Sequence, residues 1–182
     1  MPYKIFPSFY DLKRVKSINS EIQKHLMGRR DSPAGYATKT STVKHVLFAV
    51  VRPFLQNPNC IESILEWNEN EIGYDLNLVM GNKLLNYNVY RKDTEYTWHI
   101  DAVGLGSPLA YDMKFTCLLN LSESKVKGGH LYLFESGPFC VEEFNNPGAL
   151  IAFPSYIPHK VEKIISGIRR TLTIWLNGPK FR

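Results

Sequence analysis

At 182 residues with 44% hydrophobic side chains, the chain is long enough to bury one sizeable core and too short for two, so we expect a single domain over residues 1–182. The formal net charge of +5 permits attraction to nucleic acid, but no block of five Lys or Arg residues occurs, so a nucleic-acid partner is not favoured. Because no apolar run is long enough for a membrane span or a signal peptide, we expect a soluble, cytoplasmic protein without a membrane partner.

The first part of the chain, about residues 1–72, is predicted to be helical. Three segments show helical spacing or signals of a helix end: residues 11–27, 41–54 and 59–68. In the first, Leu12, Val15, Ile18 and Ile22 recur at helical spacing. Asn59 is a candidate N-cap of the third, with Glu62 three residues on.

From about residue 73 to residue 182, short apolar or alternating runs replace the helical spacing. They cover residues 74–78, 84–90, 115–121, 130–134, 149–153, 160–165 and 170–176. Gly, Pro, Asn and Asp turns separate them, which is typical of antiparallel strands. Helices followed by strands predict an α+β domain. The segment 102–113 is predicted to be a loop, which is either a mobile lid over a site or a plain connection.

A possible metal site lies just before that loop, in the tripeptide His99-Ile100-Asp101. On a strand, His99 and Asp101 point the same way because side chains alternate between the two faces. His159, which follows an apolar run and a turn, is the best candidate for a third ligand. Two imidazoles and a carboxylate suit Fe(II) and leave coordination positions open. A zinc hydrolase using the same residues is an alternative, and an H-x-D tripeptide alone is a weak signal.

Four ordered segments around these residues carry a more specific pattern. They are Tyr90 and Tyr96 ahead of the H-x-D tripeptide, Gly128–Phe134, residues 147–154, and Gly167-x-Arg169-x-Thr171 after His159. In this order and spacing, residues 87–175 resemble the catalytic core of the 2-oxoglutarate and Fe(II)-dependent dioxygenases, in particular the prolyl 4-hydroxylase-like branch. One departure is His130, which stands where the family usually has Glu.

The resemblance implies a double-stranded β-helix, or jelly roll, with the N-terminal helices packed on one sheet. It implies that His99, Asp101 and His159 are the catalytic Fe(II) ligands. It also implies 2-oxoglutarate as co-substrate and O₂ as oxidant, with release of succinate and CO₂.

Arg169 is the expected anchor of 2-oxoglutarate, because a guanidinium gives a carboxylate two parallel hydrogen bonds and keeps its charge when buried. In the last strand, alternation places Arg169, Thr171, Thr173 and Trp175 on one face and Arg170 on the other. A one-residue slip would exchange the arginines, and the family spacing from His159 selects Arg169. Thr171 and Tyr90 are lesser candidates for the same carboxylate. Alternatively, both arginines are solvated charges of an edge strand.

The resemblance also ranks the substrates. A peptidyl proline or another protein side chain is the first choice for hydroxylation, and a free amino acid or other small molecule is the alternative. A non-catalytic β-sandwich binding module is a further alternative of another class.

Four other residues are not assigned to the site. Trp98 is predicted to point away from the metal and to pack, Lys114 and Lys160 are predicted to be solvated, and His130 is not placed in the ligand set.

Overall fold

The computed structural model describes residues 3–26, 32–33, 41–78, 83–102 and 110–181. The helices are α1 (Leu12–His25), α2 (Phe48–Val51) and α3 (Cys60–Trp67), with 3₁₀ turns at Arg52–Leu55 and Glu142–Asn145 and a π-helical turn at Asn68–Ile72. The strands are β1 (Lys4–Phe6), β2 (Ser32–Pro33), β3 (Thr42–Leu47), β4 (Leu84–Tyr90), β5 (Tyr96–His99), β6 (Tyr111–Asn120), β7 (Lys127–Gly128), β8 (Leu131–Phe134), β9 (Pro138–Cys140), β10 (Leu150–Pro154), β11 (His159–Val161), β12 (Ile164–Ser166) and β13 (Arg169–Pro179). Within these described ranges, no helix has the length and apolar character needed to cross a membrane.

Two predicted helices are confirmed, and side-chain caps explain where they begin. The Asp11 carboxylate accepts a hydrogen bond from the backbone N–H of Arg14 at the start of α1. The Asn59 side chain accepts from the N–H groups of Ile61 and Glu62 at the start of α3. Each cap satisfies N–H groups that have no partner within the helix.

Two facing antiparallel sheets form the core. The large sheet has seven strands in the order β1-β10-β6-β13-β4-β3-β2, and the small sheet has four in the order β5-β11-β8-β9. A separate pair joins β12 to β7. The helices cover the outer face of the large sheet, where Ile18, Ile22 and Ile64 join the same buried cluster as Tyr87 and Leu172. The predicted α+β jelly roll with helices on one sheet is therefore confirmed.

The inner face of the large sheet looks toward the small sheet. Leu118 and Ile151 of the large sheet share a buried cluster with Leu131 and Leu133 of the small one. At one end of this interface the core is polar, and the predicted site residues lie at that end.

The helical prediction for residues 41–54 is wrong in its first half. Thr42–Leu47 is strand β3, paired with β4 from Thr42 opposite Val89 to Leu47 opposite Leu84, and only Phe48–Val51 is α-helical. The β-branched residues of this segment favour a strand, because they pack well against the side chains of a neighbouring strand such as β4. The N-terminal part also supplies β1, which pairs with β10 at the other edge of the large sheet.

Three other segments differ from the prediction. Residues 74–78 form only an isolated bridge, from Asn77 to Asn177, and residues 160–165 are divided between β11 and β12. Of the predicted loop at 102–113, Tyr111–Met113 belong to β6, whereas 103–109 lie outside the described residues.

The prediction that Lys114 is solvated is also wrong. Only 5% of this residue is exposed, and its ammonium nitrogen lies 3.3 Å from the centre of the Phe181 ring. The negative face of the ring stabilises the cation where water is excluded. Lys160, by contrast, lies on the outer face of the small sheet over Trp98 and Tyr132.

Candidate active site

Strand pairing brings the two histidines together. His99 at the end of β5 is the direct cross-strand partner of His159 at the start of β11. Their ring centres are 4.1 Å apart, because side chains directly opposite each other in an antiparallel pair are close neighbours. Sixty residues of chain separate two side chains that the small sheet places in contact.

Asp101 completes a cluster of three. Its carboxylate oxygens lie 3.7 Å from Nε2 of His99 and 3.7 Å from Nε2 of His159. The backbone N–H groups of Asp101 and Ala102 both donate to the carbonyl oxygen of Ser155, which fixes the segment after β5 against the segment before His159. One potential ligand atom from each of the three side chains lies within 4.8 Å of the others.

The histidine tautomers follow from backbone contacts. His99 Nδ1 lies 2.8 Å from the Thr97 carbonyl oxygen, and His159 Nδ1 lies 3.0 Å from the Ile157 carbonyl oxygen. A carbonyl oxygen only accepts, so each Nδ1 donates its proton, and in a neutral ring the lone pair then lies on Nε2, the nitrogen that faces Asp101. Burial lowers the pKa of His159 to about 4, against the raising effect of Asp101 and together with the lowering effect of His99. His159 is therefore neutral at pH 7, as a metal ligand must be.

Two side chains that we did not predict as site residues hold Asp101. Thr116 Oγ1 donates to Asp101 Oδ2 at 2.7 Å, and Trp175 Nε1 donates to the same oxygen at 2.9 Å. Thr116 and Trp175 are cross-strand partners on β6 and β13. The sequence signal for Trp175 was its place on the Arg169 face of the last strand, but the pairing of β6 with β13, which selects Thr116, has no local signal.

Arg169 is a buried cation at the start of β13. It is 4% exposed, and its guanidinium carbon lies 5.1 Å from the centre of the Tyr90 ring and 5.5 Å from that of Phe144. Among the residues that the structure describes, the buried Nη2 has no hydrogen-bond partner. Burial lowers the pKa of Arg169, but arginine stays charged in proteins. A buried charged donor without a partner is costly, and a bound anion would relieve this cost.

Tyr90 and Thr171 lie beside Arg169. Tyr90 on β4 is the cross-strand partner of Arg169, and burial raises its pKa more than Arg169 lowers it, so the phenol is neutral. Thr171 is 1% exposed and lies two residues along β13 on the same face as Arg169.

All six predicted site residues line one cavity between the sheets. The cavity encloses about 480 Å³, part of it open to solvent. Its other lining residues are Asn86, Asn88, Tyr96, Leu118, Leu131, Val161, Thr173 and Trp175. The inward positions of β13 are those predicted by alternation, since Leu172, Ile174 and Leu176 belong to the helix-side core instead.

Three nearby residues, His130, Trp98 and Arg170, do not line this cavity. His130 Nδ1 lies 2.8 Å from Glu162 Oε2, and His130 does not line the cavity. Trp98 contacts the Phe134 ring edge-on on the outer face of the small sheet. Arg170 lines a different cavity.

The donor set fits Fe(II). Two neutral imidazole nitrogens and a carboxylate on one side of a cavity leave room for further ligands on the other side, as in open non-haem iron sites. The unpaired Nη2 of Arg169 in the same cavity fits a co-substrate with a carboxylate at its far end.

Comparisons with known proteins agree with this geometry. A sequence model of the 2OG-Fe(II) oxygenase superfamily matches residues 85–177. The structure is similar to a Pseudomonas putida prolyl-4-hydroxylase at 17% identity, covering 98% of this chain and 93% of that chain with a TM-score of 0.73. It is also similar to the viral collagen prolyl hydroxylase of Paramecium Bursaria Chlorella virus-1 at 15% identity, covering 99% and 97% with a TM-score of 0.70.

A third similar structure is a prolyl hydroxylase from Trichoplax adhaerens in complex with a peptide fragment of the hypoxia inducible factor oxygen degradation domain. The identity is 17%, the coverage is 96% of this chain and 82% of that chain, and the TM-score is 0.68. No curated protein sequence matches the chain.

Proposed function

This chain belongs to the 2OG-Fe(II) oxygenase superfamily and is a 2-oxoglutarate-dependent dioxygenase, and we propose that it hydroxylates a peptidyl proline or another protein side chain. The observation that carries the proposal is the shared cavity. It joins a His-Asp-His cluster to a buried arginine with an unpaired donor.

His99, Asp101 and His159 would hold Fe(II). Their potential ligand atoms already lie within 4.8 Å of one another, and the Thr97 and Ile157 carbonyl groups accept from both Nδ1–H groups, which leaves each Nε2 for the metal. Binding therefore requires no change of tautomer and no loss of a proton from His159. Bound Fe(II) and 2-oxoglutarate supply O₂ activation coupled to decarboxylation of 2-oxoglutarate to succinate and CO₂.

Arg169 would bind the carboxylate of 2-oxoglutarate that is remote from the metal. Its guanidinium is held against the Tyr90 ring, and the buried neutral phenol of Tyr90 and the hydroxyl of Thr171 are available as further donors. The apolar side chains of Leu118, Leu131 and Val161 also line the cavity, and Arg169, at 4% exposure, is removed from bulk water. Excluding water strengthens an arginine–carboxylate pair and protects reactive species from side reactions.

The similar solved structures support the choice of a protein substrate. All three described above are prolyl hydroxylases, and one holds a peptide fragment. Hydroxylation of a free amino acid or another small molecule is the alternative outcome.

The test starts with anaerobic titration of Fe(II) and 2-oxoglutarate, followed by addition of O₂ and mass spectrometry of proline-containing peptides. We expect succinate to form and a peptide to gain one oxygen atom. Succinate formation that only small molecules stimulate would reject the protein substrate. Absence of both metal binding and succinate would reject the oxygenase and favour a non-catalytic binding module.

A matched pair of variants separates the site from general effects of charge. Arg169→Gln should impair 2-oxoglutarate binding while leaving metal binding in place. Arg52→Gln, which removes an exposed arginine from the 3₁₀ turn after α2, should leave both unchanged.

A further inference from the structure

Ser155 is a fully buried residue in the turn between β10 and β11, four residues before His159. Its backbone N–H donates to the Lys114 carbonyl oxygen, and its own carbonyl oxygen accepts from the N–H groups of Asp101 and Ala102. Through these backbone bonds, Ser155 fixes the segment that carries Asp101 against β6. Its hydroxyl lies beside a second side chain of the same site, Thr116.

The direction of the hydrogen bond between Ser155 and Thr116 follows from the Asp101 carboxylate. Ser155 Oγ and Thr116 Oγ1 are 3.0 Å apart, and on distance alone either oxygen could donate. Thr116 has a single hydroxyl proton, which it donates to Asp101 Oδ2, since a carboxylate only accepts. Ser155 must therefore donate to Thr116. The result is a chain of two hydrogen bonds that runs from Ser155 through Thr116 to Asp101.

This chain helps to occupy one particular oxygen of the carboxylate. Oδ2 accepts from Thr116 and also from Trp175 Nε1, and two donors match the two lone pairs of a carboxylate oxygen. Within the described part of the molecule, no donor reaches Oδ1 at hydrogen-bond distance; its nearest polar neighbour there is His99 Nε2, at 3.7 Å. Oδ1 is thus the oxygen of Asp101 that is available to a metal ion.

The Ser155 hydroxyl strengthens this arrangement in two ways. It occupies a lone pair of Thr116 Oγ1, so that the Thr116 proton stays directed at Asp101. A hydroxyl that accepts a hydrogen bond is also a stronger donor, because the bonds of a chain polarise one another. Both hydroxyl-bearing residues are fully buried, where hydrogen bonds are electrostatically stronger than in water.

We propose that Ser155 is a positioning residue of the metal site, which acts through Thr116 to hold Asp101 with Oδ1 free for the ion. The inference rests on the proposed role of His99, Asp101 and His159 as the metal ligands. The short segment from Ser155 to His159 then has two tasks, because it supplies one ligand and orients another.

The test is a double-mutant cycle of Ser155→Ala and Thr116→Val, with Mn²⁺ affinity measured by electron paramagnetic resonance titration of the metal-free protein. Thr116→Val should weaken binding by roughly tenfold, as for other residues that orient a metal ligand. Ser155→Ala should weaken it by roughly three- to tenfold, the usual effect of losing one neutral hydrogen bond. In the Thr116→Val background, Ser155→Ala should have no further effect, because the chain to Asp101 is already interrupted.

The spectrum of the bound ion gives a second measurement that a purely structural role would not change. Its shape reports the symmetry of the ligands around Mn²⁺, and it should change in the same way in Ser155→Ala and Thr116→Val. An unchanged spectrum in Ser155→Ala, together with an unchanged affinity, would overturn the proposal. So would a loss of affinity from Ser155→Ala that persists in full in the Thr116→Val background, since Ser155 would then act by another route.

Ser122→Ala is the matched control. Ser122 is also buried, but its hydroxyl oxygen accepts from the backbone N–H of Arg170, and it does not line the cavity of the His-Asp-His cluster. Its Mn²⁺ affinity and spectrum should equal those of the natural protein, and thermal unfolding checks the fold of every variant. A loss of affinity in Ser122→Ala as large as in Ser155→Ala would assign the effect to general loosening of the core and reject the proposal.

His99→Ala separates this inference from the ligand assignment on which it rests. If the natural protein binds Mn²⁺ and His99→Ala does not, the assignment stands, and the Ser155 variants alone decide whether Ser155 positions Asp101. If the natural protein does not bind Mn²⁺, or if His99→Ala binds it equally well, the ligand assignment is wrong and the role of Ser155 is rejected with it.

Discussion

Trp175 Nε1 donates a hydrogen bond to Asp101 Oδ2 at 2.9 Å. This bond ties the carboxylate between the two histidines to the strand that also carries Arg169, and Thr116 donates to the same oxygen. A carboxylate held by two donors keeps its orientation before any metal arrives, and such outer contacts commonly change metal affinity by about 10- to 100-fold.

Trp175→Phe should therefore weaken metal binding while preserving the packing of the ring. We expect a loss of roughly tenfold in Mn²⁺ affinity, measured by electron paramagnetic resonance titration of the metal-free protein. Trp98→Phe is the control, because Trp98 packs on the outer face of the small sheet. Equal affinities in the two variants would show that the indole N–H does not position Asp101.

The three clustered side chains should be individually essential. His99→Ala, Asp101→Ala and His159→Ala should each abolish iron-dependent formation of succinate, since two remaining ligands hold the metal poorly. His130→Ala should retain turnover, because His130 pairs with Glu162 outside the cavity. Iron content and succinate are measured on each purified variant, and wild-type turnover by any cluster variant would contradict the assignment.

Arg169→Gln should raise the KM for 2-oxoglutarate by about 10- to 100-fold, the usual range for removing a charged partner from a hydrogen bond. Arg169→Lys should recover part of the loss, because the charge returns without the planar pair of donors. Steady-state assays across 2-oxoglutarate concentrations give the KM. An unchanged KM in Arg169→Gln would place the co-substrate carboxylate elsewhere.

The metal-free protein should lose stability as the pH falls from about 6.5 to about 4. In the folded state the pKa of His159 is lowered to about 4, chiefly by burial, whereas in the unfolded chain it is about 6.5. Between these values the unfolded state binds the proton and the folded state does not, so protonation favours unfolding by about 3 kcal/mol at the lower limit. Thermal unfolding at a series of pH values measures this. The slope should be smaller in His159→Gln, and an equal slope in that variant would show that other groups cause the loss.

Gly148→Ala should destabilise the fold far more than Gly73→Ala. Both glycines have positive φ, at 80° and 78°, so both substitutions cost about 1 kcal/mol of backbone strain. A Cβ at Gly148 would lie 1.8 Å from the backbone oxygen of Tyr10, whereas no atom lies within 4 Å at Gly73. We expect about 3 kcal/mol or more for Gly148→Ala, measured by denaturant unfolding. Equal losses would show that the backbone at Tyr10 moves away from the added Cβ without further loss of stability.

Several features of the site could be predicted because they depend on spacing along one strand. The period of two fixes that His99 and Asp101 point the same way, and that Arg169, Thr171 and Trp175 share a face from which Arg170 is excluded. The residues that line the cavity include His99, Asp101, Arg169, Thr171 and Trp175, but not Arg170. The starts of the helices after Asp11 and Asn59 could be predicted for a similar reason, because a cap involves only neighbouring residues of the first turn.

The errors lie where distant contacts decide. Residues 42–47 carry apolar side chains that suit a helix or a strand. They form a strand because their backbone pairs with the neighbouring strand β4. The burial of Lys114 depends on Phe181, which is brought near from the far end of the chain. Thr116 was not predicted as a site residue because its contact with Asp101 requires β6 to lie beside β13.

The sequence by itself determined the types of donor and the face of each strand from which they project, since residue chemistry and side-chain alternation are properties of the local chain. Only the tertiary structure decided which strands are neighbours, and hence that His99 meets His159 and that Trp175 reaches Asp101. It also decided that Arg169 and Arg170 enter separate cavities with different companions. Strand pairing is a long-range choice, set by the burial of whole faces and by satisfied backbone hydrogen bonds, and short-range spacing does not encode it.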